Sequence, residues 1–163
     1  MTGTVTAIYI CPTGAAAMTA VGEATLVLDE GIAGDRYALG TGTFSKKGVH
    51  KPDAEVTLIE AEEIERFNAA KGLALELGAP RRNIVTRGIR LNDLVGLRFR
   101  VGATLLEGLR LCEPCAHLGE LVIPEIVAGL VHRAGLRARI VAGGTVKPGD
   151  AIVSVAATEC RVP

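Results

Sequence analysis

Short apolar or alternating runs separated by glycine-rich turns fill most of this chain, and only two stretches carry a helical period. Thr4 to Cys11, with its β-branched and aromatic residues, predicts a first strand that ends at Pro12-Thr13-Gly14. Ala24 to Leu28 predicts a second strand, running into Asp29-Glu30-Gly31-Ile32-Ala33-Gly34-Asp35-Arg36, where two glycines three apart predict turning backbone. Val56 to Ile59 predicts a strand feeding a helix over Glu60 to Ala70, in which Ile64 and Phe67 share a face and Gly72 is the stop. Arg82 to Thr86, Phe99 to Val101 and Ala103 to Leu106 are further strand candidates, and Gly108 to Leu111 leads into a cysteine-bearing turn. Pro124 opens the second predicted helix, through Ile126, Leu130 and Val131, with His132 and Arg133 in its last turn and Gly135 as its stop. Leu136 to Ala142 alternates, Gly143-Gly144 predicts a turn, and Ala151 to Val155 is the last strand. Many short strands with two helices predict a mixed β/α fold, predominantly β: a partly closed β-barrel with short helices, in a single domain over 1–163.

Composition sharpens that picture. Hydrophobic residues make up 48% of the 163, yet aromatics are 3% and Trp is absent, so the core is expected from Val, Ile, Leu and Ala. Eighteen basic and eighteen acidic residues cancel, which argues against a nucleic-acid partner. The basic residues nevertheless cluster, at Arg81, Arg82, Arg87 and Arg90 and again at His132, Arg133, Arg137 and Arg139. A local anion site fits that distribution. No apolar run approaches the roughly 18 residues of a membrane span, and Met1 to Val5 lacks the basic opening of a signal peptide. No membrane partner is expected, and four cysteines in a chain with an ample core suggest reduced thiols and a cytoplasmic setting.

Candidate chemistry centres on Cys112-Glu113-Pro114-Cys115. Such a pair suits a dithiol switch, half of a zinc site, one functional thiolate with a bystander, or two inert buried thiols. Closed zinc would need further ligands from His117, Cys11 or Cys160, and a helix-borne dithiol would need a helix directly after Cys115, whereas the pattern places the next helix near Pro124. A single thiolate at Cys115 is the leading reading. In the Arg82 strand, Asn83 and Val85 share one face, and Arg81 joins Asn83 if the strand extends back; that pair can clamp an anion, or form a solvated arginine face. Arg133 and Arg137 divide the same way, and Asp35-Arg36 is either an anion-facing pair or a structural clamp. Glu60, Glu62, Glu63 and Glu65 read as a solvated helix face, His50 as an exposed neutral ring, and 39–54 as a long functional or mobile loop. No GxGxxG, P-loop, HExxH or GxSxG pattern occurs in the required context.

Taken in order, Gly31 to Arg36, Arg81 to Gly88, Leu91 to Gly96, Val101 to Ala103, Cys112 to Cys115, His132 to Arg137 and Gly149-Asp150 resemble the MOSC family, the molybdenum-cofactor sulfurase C-terminal domain. The resemblance implies a MOSC-like barrel in which Cys115 binds molybdenum or carries sulfur, and in which Arg81 and Asn83 contact the pterin or its phosphate. It implies Arg36, Arg133 and Arg137 as further cofactor contacts. A molybdenum-pterin cofactor, and an oxidoreductase reaction on a small N-hydroxylated substrate with an electron-transfer partner, is one implied function. A persulfide carrier loaded by a cysteine desulfurase is another, and a non-enzymatic binding domain a third. The chain has no counterpart of the pyridoxal-phosphate domain of the full sulfurases, so no pyridoxal phosphate is expected.

Overall fold

The computed structural model describes residues 1–156, and Cys160 lies outside them. Its strands are β1 (Thr2–Ile10), β2 (Thr19–Val21), β3 (Ala24–Val27), β4 (Gly31–Ile32), β5 (Val56–Glu60), β6 (Ile84–Arg87), β7 (Arg98–Val101), β8 (Thr104–Leu111), β9 (Leu136–Ala142), β10 (Gly144–Val146) and β11 (Ala151–Ser154). The helices are α1 (Arg36–Leu39), α2 (Ala61–Lys71), α3 (Ala116–Leu121) and α4 (Glu125–Gly129), with single 3-10 turns at Pro52–Ala54 and Leu91–Leu94.

Seven strands form a ring in the order β11-β7-β8-β9-β5-β6-β1, and β1 returns to β11 to shut it. The partly closed barrel expected from sequence is therefore closed. The reason lies in β1, whose register shifts between Val5 and Ala7 so that the nine-residue strand bends from β6 onto β11. Every ring pairing is antiparallel except β5 with β6, which α2 and the following loop connect. Alternation sets the inside: Leu136, Ala138 and Ile140 of β9 point into the barrel with Leu58, Phe99 and Ile152.

Strand β5 is buried at Val56, Thr57, Leu58 and Ile59 alike, because α2 covers its outer face. Ile59, Ala61, Ile64 and Val85 form that outer layer. A third cluster joins Phe67 near the end of α2 to Leu118, Ile126, Leu130 and Ala134, and so fixes α3 and α4 against the barrel. This satellite core holds the cysteine turn in place.

Several local expectations change. The second helix is shorter than its period suggested: α4 spans Glu125–Gly129 with Pro124 as its N-cap, and His132 adopts a φ of 59°, so His132 and Arg133 lie beyond it. A helix that sequence reasoning did not foresee, α3, starts directly after Cys115. Gly143-Gly144 is not a turn but the entry to β10, which pairs with β3; a Cβ on Gly143 would lie 2.5 Å from the Leu26 carbonyl oxygen, so glycine permits the approach. Glu63 is buried rather than solvated, and Glu60 and Glu62 accept the Leu91 and Gly88 N–H groups.

Candidate functional site

The site is assembled where β1 ends. Cys11 is fully buried, and its thiol donates toward the Thr13 carbonyl at 2.7 Å and the Ala16 carbonyl at 3.3 Å, curling the Pro12–Ala16 turn back on itself. The Arg81 guanidinium holds the same turn from the other side, donating to the Ala16 carbonyl at 2.7 Å and the Gly14 carbonyl at 2.8 Å. Asp35, wholly buried, accepts the Cys11 N–H at 3.0 Å and the Tyr37 N–H at 3.3 Å, which caps α1. It also pairs with Arg36 at 3.2 Å. Arg36 in turn donates to the Arg81 carbonyl at 3.2 Å and the Tyr37 hydroxyl at 3.4 Å, with its guanidinium carbon 4.4 Å from the Tyr37 ring centre. Asp35-Arg36 is thus a structural clamp and a groove wall together.

Arg82 ties three chain segments. Only 8% exposed, it donates to the carbonyls of Ala134 (2.9 Å), Pro80 (3.2 Å) and Cys112 (3.1 Å). The Cys112 N–H donates to the Gly135 carbonyl at 2.7 Å, so the first cysteine is pinned at both backbone groups and its side chain is buried. Glu113 points outward to the His132 N–H at 3.0 Å, and Cys115 emerges exposed as the N-cap residue of α3. The two thiols therefore face different surroundings.

Cys115 lines a narrow groove of about 70 Å³ together with Arg36, Arg81, Arg82, Arg137, Glu113 and His117. A larger open cleft of about 770 Å³ adjoins it and shares Tyr37, Phe44 and Arg137 as common wall. Lys46, Lys47 and Lys51 line this cleft with Asp29 and Glu30, and Arg110 lines it paired with Asp53 at 2.7 Å. The segment that sequence reasoning left as a long loop forms its roof. It reaches α3 through Thr43, whose hydroxyl lies 3.4 Å from His117 Nε2, and through Phe44, edge-on to the His117 ring at 5.7 Å. His50, expected as an exposed neutral ring, is exposed, and it also sits 2.8 Å from an oxygen of buried Glu55, fastening the loop's far end.

Charge in the groove is lopsided. Among the described residues, Arg36 has a carboxylate partner, but Arg81, Arg82 and Arg137 have none within ion-pair distance. Carbonyl dipoles satisfy their hydrogen bonds without cancelling their charge. Burial works against the Arg137 cation, yet Cys112, Tyr37 and Asp53 hold it above its ordinary pKa. Its Nε–H is buried and has no acceptor, while one terminal nitrogen donates to the Asp53 carbonyl at 3.0 Å. Asp53 answers in kind: burial pushes its carboxyl up, but the hydrogen bond and charge of Arg110 and the charge of Arg137 hold it below the usual value.

Of the residues singled out from sequence, Arg36, Arg81, Arg137 and Cys115 meet at the groove. Asn83 and Arg133 do not. Arg81 has a φ of 63°, so the strand does not extend back to it; β6 begins only at Ile84, and the shared face with Asn83 is lost. Asn83 is 0% exposed: its side-chain oxygen accepts the Thr57 N–H and hydroxyl at 3.2 and 2.9 Å, and its amide donates to the Tyr9 carbonyl at 3.1 Å. It is a buried strut. Asn83→Ala is expected to cost about 2–4 kcal/mol in chemical denaturation, from orphaned backbone groups, while leaving the alkylation rate of Cys115 in the folded protein unchanged. Arg133 is exposed and away from the groove lining. Arg82, Tyr37 and His117 are groove residues that the sequence did not single out as contacts, since nothing in the spacing announces the turned backbone at Arg81.

A closed seven-stranded barrel carrying an exposed thiol in a cationic groove defines a small thiol-presenting domain. The family model of the MOSC domain matches residues 27–153, and the chain belongs to that family. Comparison with curated proteins returned no significant match. Among solved structures, the YuaD protein from Bacillus subtilis superposes with a TM-score of 0.79 at 19% identity, covering 93% of this chain and 94% of that one. YiiM from Geobacillus stearothermophilus gives 0.73 at 17% identity over 94% and 75% of the two chains. YiiM from Escherichia coli gives 0.65 at 20% identity over 99% and 71%. At these identities the likeness is one of fold. No helix among the described residues is long and apolar enough to cross a membrane.

Proposed function

We propose that this MOSC domain binds a molybdenum-pterin cofactor with Cys115 as thiolate ligand. The observation that carries the reading is an exposed thiol beside three guanidinium groups with no carboxylate within ion-pair distance. A soft sulfur donor suits a thiophilic metal, and the cations suit an anionic phosphate. Size supports the same division. The Cys115 groove is too small for a pterin, but the adjoining cleft of about 770 Å³ falls in the range of roughly 300–1,000 Å³ typical of ligand sites. Tyr37 and Arg137 sit on the wall common to both spaces, and Lys46 and Lys47 supply further positive charge. When bound, the cofactor would supply two-electron oxygen-transfer chemistry of the kind that reduces N-hydroxylated compounds. The chain's part would be to hold it, with Cys115 as the metal's thiolate ligand and Arg137 as a contact to an anionic oxygen.

Expression in a cofactor-producing host, followed by metal analysis and pterin fluorescence of the oxidised extract, tests this. Near-stoichiometric molybdenum and pterin are expected; protein reproducibly free of both would overturn the reading. A second reading is favoured by one feature. Cys115 is exposed with only about 70 Å³ of groove beside it, so it is accessible to a sulfur donor with no pterin in place, as a persulfide carrier requires.

A further inference from the structure

The volume beside Cys115 and the charge around it select a particular kind of ligand. About 70 Å³ lies far below the roughly 300–1,000 Å³ of a typical ligand site, which suits a small oxyanion better than a heterocycle. The walls are guanidinium groups. Arg81 and Arg82 spend their visible hydrogen bonds on backbone carbonyls, and Arg137 keeps a buried Nε–H with no acceptor. A buried donor left without an acceptor costs free energy, which a turn of the Arg137 guanidinium toward an anion in the groove would recover. Glu113, the groove's own carboxylate, is turned to His132.

From this we propose that the groove is a subsite for an inorganic oxyanion bearing a terminal sulfur, of which thiosulfate is the simplest, and that Cys115 takes that sulfur. The proposal rests on the persulfide-carrier reading of Cys115. In the step, the Cys115 thiol first loses its proton to solvent. The thiolate then attacks the terminal sulfur, a new S–S bond forms on Cys115, and the sulfur–sulfur bond of thiosulfate breaks with its electron pair leaving on sulfite. Charge balances at three negative units on each side, and no outside oxidant or reductant is needed. Attack of an anion on a dianion is opposed by Coulomb repulsion. The three guanidinium groups without carboxylate partners offset that repulsion and stabilise the departing sulfite.

Reduced protein incubated with thiosulfate should gain one sulfur by intact mass, removable with a thiol reductant, and release an equal amount of sulfite. Sulfate, which has the same oxyanion shape but no sulfur to give, should slow this loading competitively. It should slow loading from inorganic polysulfide, which carries no oxyanion, far less. Arg137→Gln should slow loading from thiosulfate about tenfold or more, the usual scale for a lost charge-assisted contact, and by clearly more than it slows loading from polysulfide, which has no oxyanion to hold; circular dichroism verifies folding. Loading by polysulfide but not by thiosulfate overturns the subsite and leaves the carrier reading standing. Absence of loading by either donor overturns both. Thiosulfate loading indifferent to sulfate, or to Arg137→Gln in a folded variant, also overturns the subsite.

Discussion

Cys115→Ser is expected to abolish molybdenum ligation and sulfur loading, whereas Cys112→Ser keeps most of both. The two cysteines are separated by two residues but differ in every physical respect that matters. Cys112 is 1% exposed, and its backbone N–H and carbonyl are held by Gly135 and Arg82, so the turn does not depend on the thiol. Replacing that buried sulfur by a hydroxyl costs about 1–3 kcal/mol of stability and leaves the groove intact. Cys115 is exposed on the groove side, and serine there retains the approximate size but neither the softness nor the ability to form a persulfide. Metal stoichiometry and reducible sulfur mass in both variants, with circular dichroism as a folding control, measure the difference. Equal loss in two folded variants would instead indicate a paired dithiol or a two-cysteine metal site.

Gly135→Ala is expected to be the most damaging single-methyl change near the site. Gly135 has a φ of 106°, and a Cβ there would lie 1.8 Å from the Leu58 carbonyl oxygen. Backbone cannot yield as a flexible side chain can. Relief would require separating β9 from β5 just where Leu136 pairs with Leu58, and would displace the Gly135 carbonyl that anchors Cys112. A cost of about 4 kcal/mol or more is expected, out of a total of ~5–15 kcal/mol for a domain. Thermal unfolding should show a loss of about 10 °C or more, accompanied by a changed rate of Cys115 alkylation. An unchanged midpoint would mean that the two strands do not approach as closely as described.

Where burial follows a regular period, the sequence announces the structure. Strand β9 runs from Leu136 to Ala142 as its alternation predicts, and α2 ends at Gly72 as its apolar face predicts. Helix α3 could not be read in this way. Six residues are too few to show a period or to hold a helix unaided, and α3 exists because Leu118 packs into the cluster around Phe67 and Ile126. The site divides along the same line. Cys115 and the arginine clusters are visible in the sequence, but which arginines reach the groove depends on the left-handed backbone at Arg81, a conformation no local signal assigns to an arginine. That single turn separates Arg81, which lines the groove, from Asn83, which braces β5.

The seam between β1 and β11 sets when the groove can take its final shape. Thr2, Gly3 and Thr4 pair with Val153, Ile152 and Ala151, residues about as far apart along the chain as the fold allows. Contacts between such distant segments are slow to form, and during synthesis, which proceeds at about 5–20 residues per second, the ring cannot shut until β11 has left the ribosome. The groove draws on Gly14, Arg36, Arg81, Cys115 and Arg137, so its parts are translated long before the frame that aligns them is complete. Whatever Cys115 receives, whether metal or sulfur, is therefore expected to be delivered after translation, to a finished barrel and not to a nascent chain.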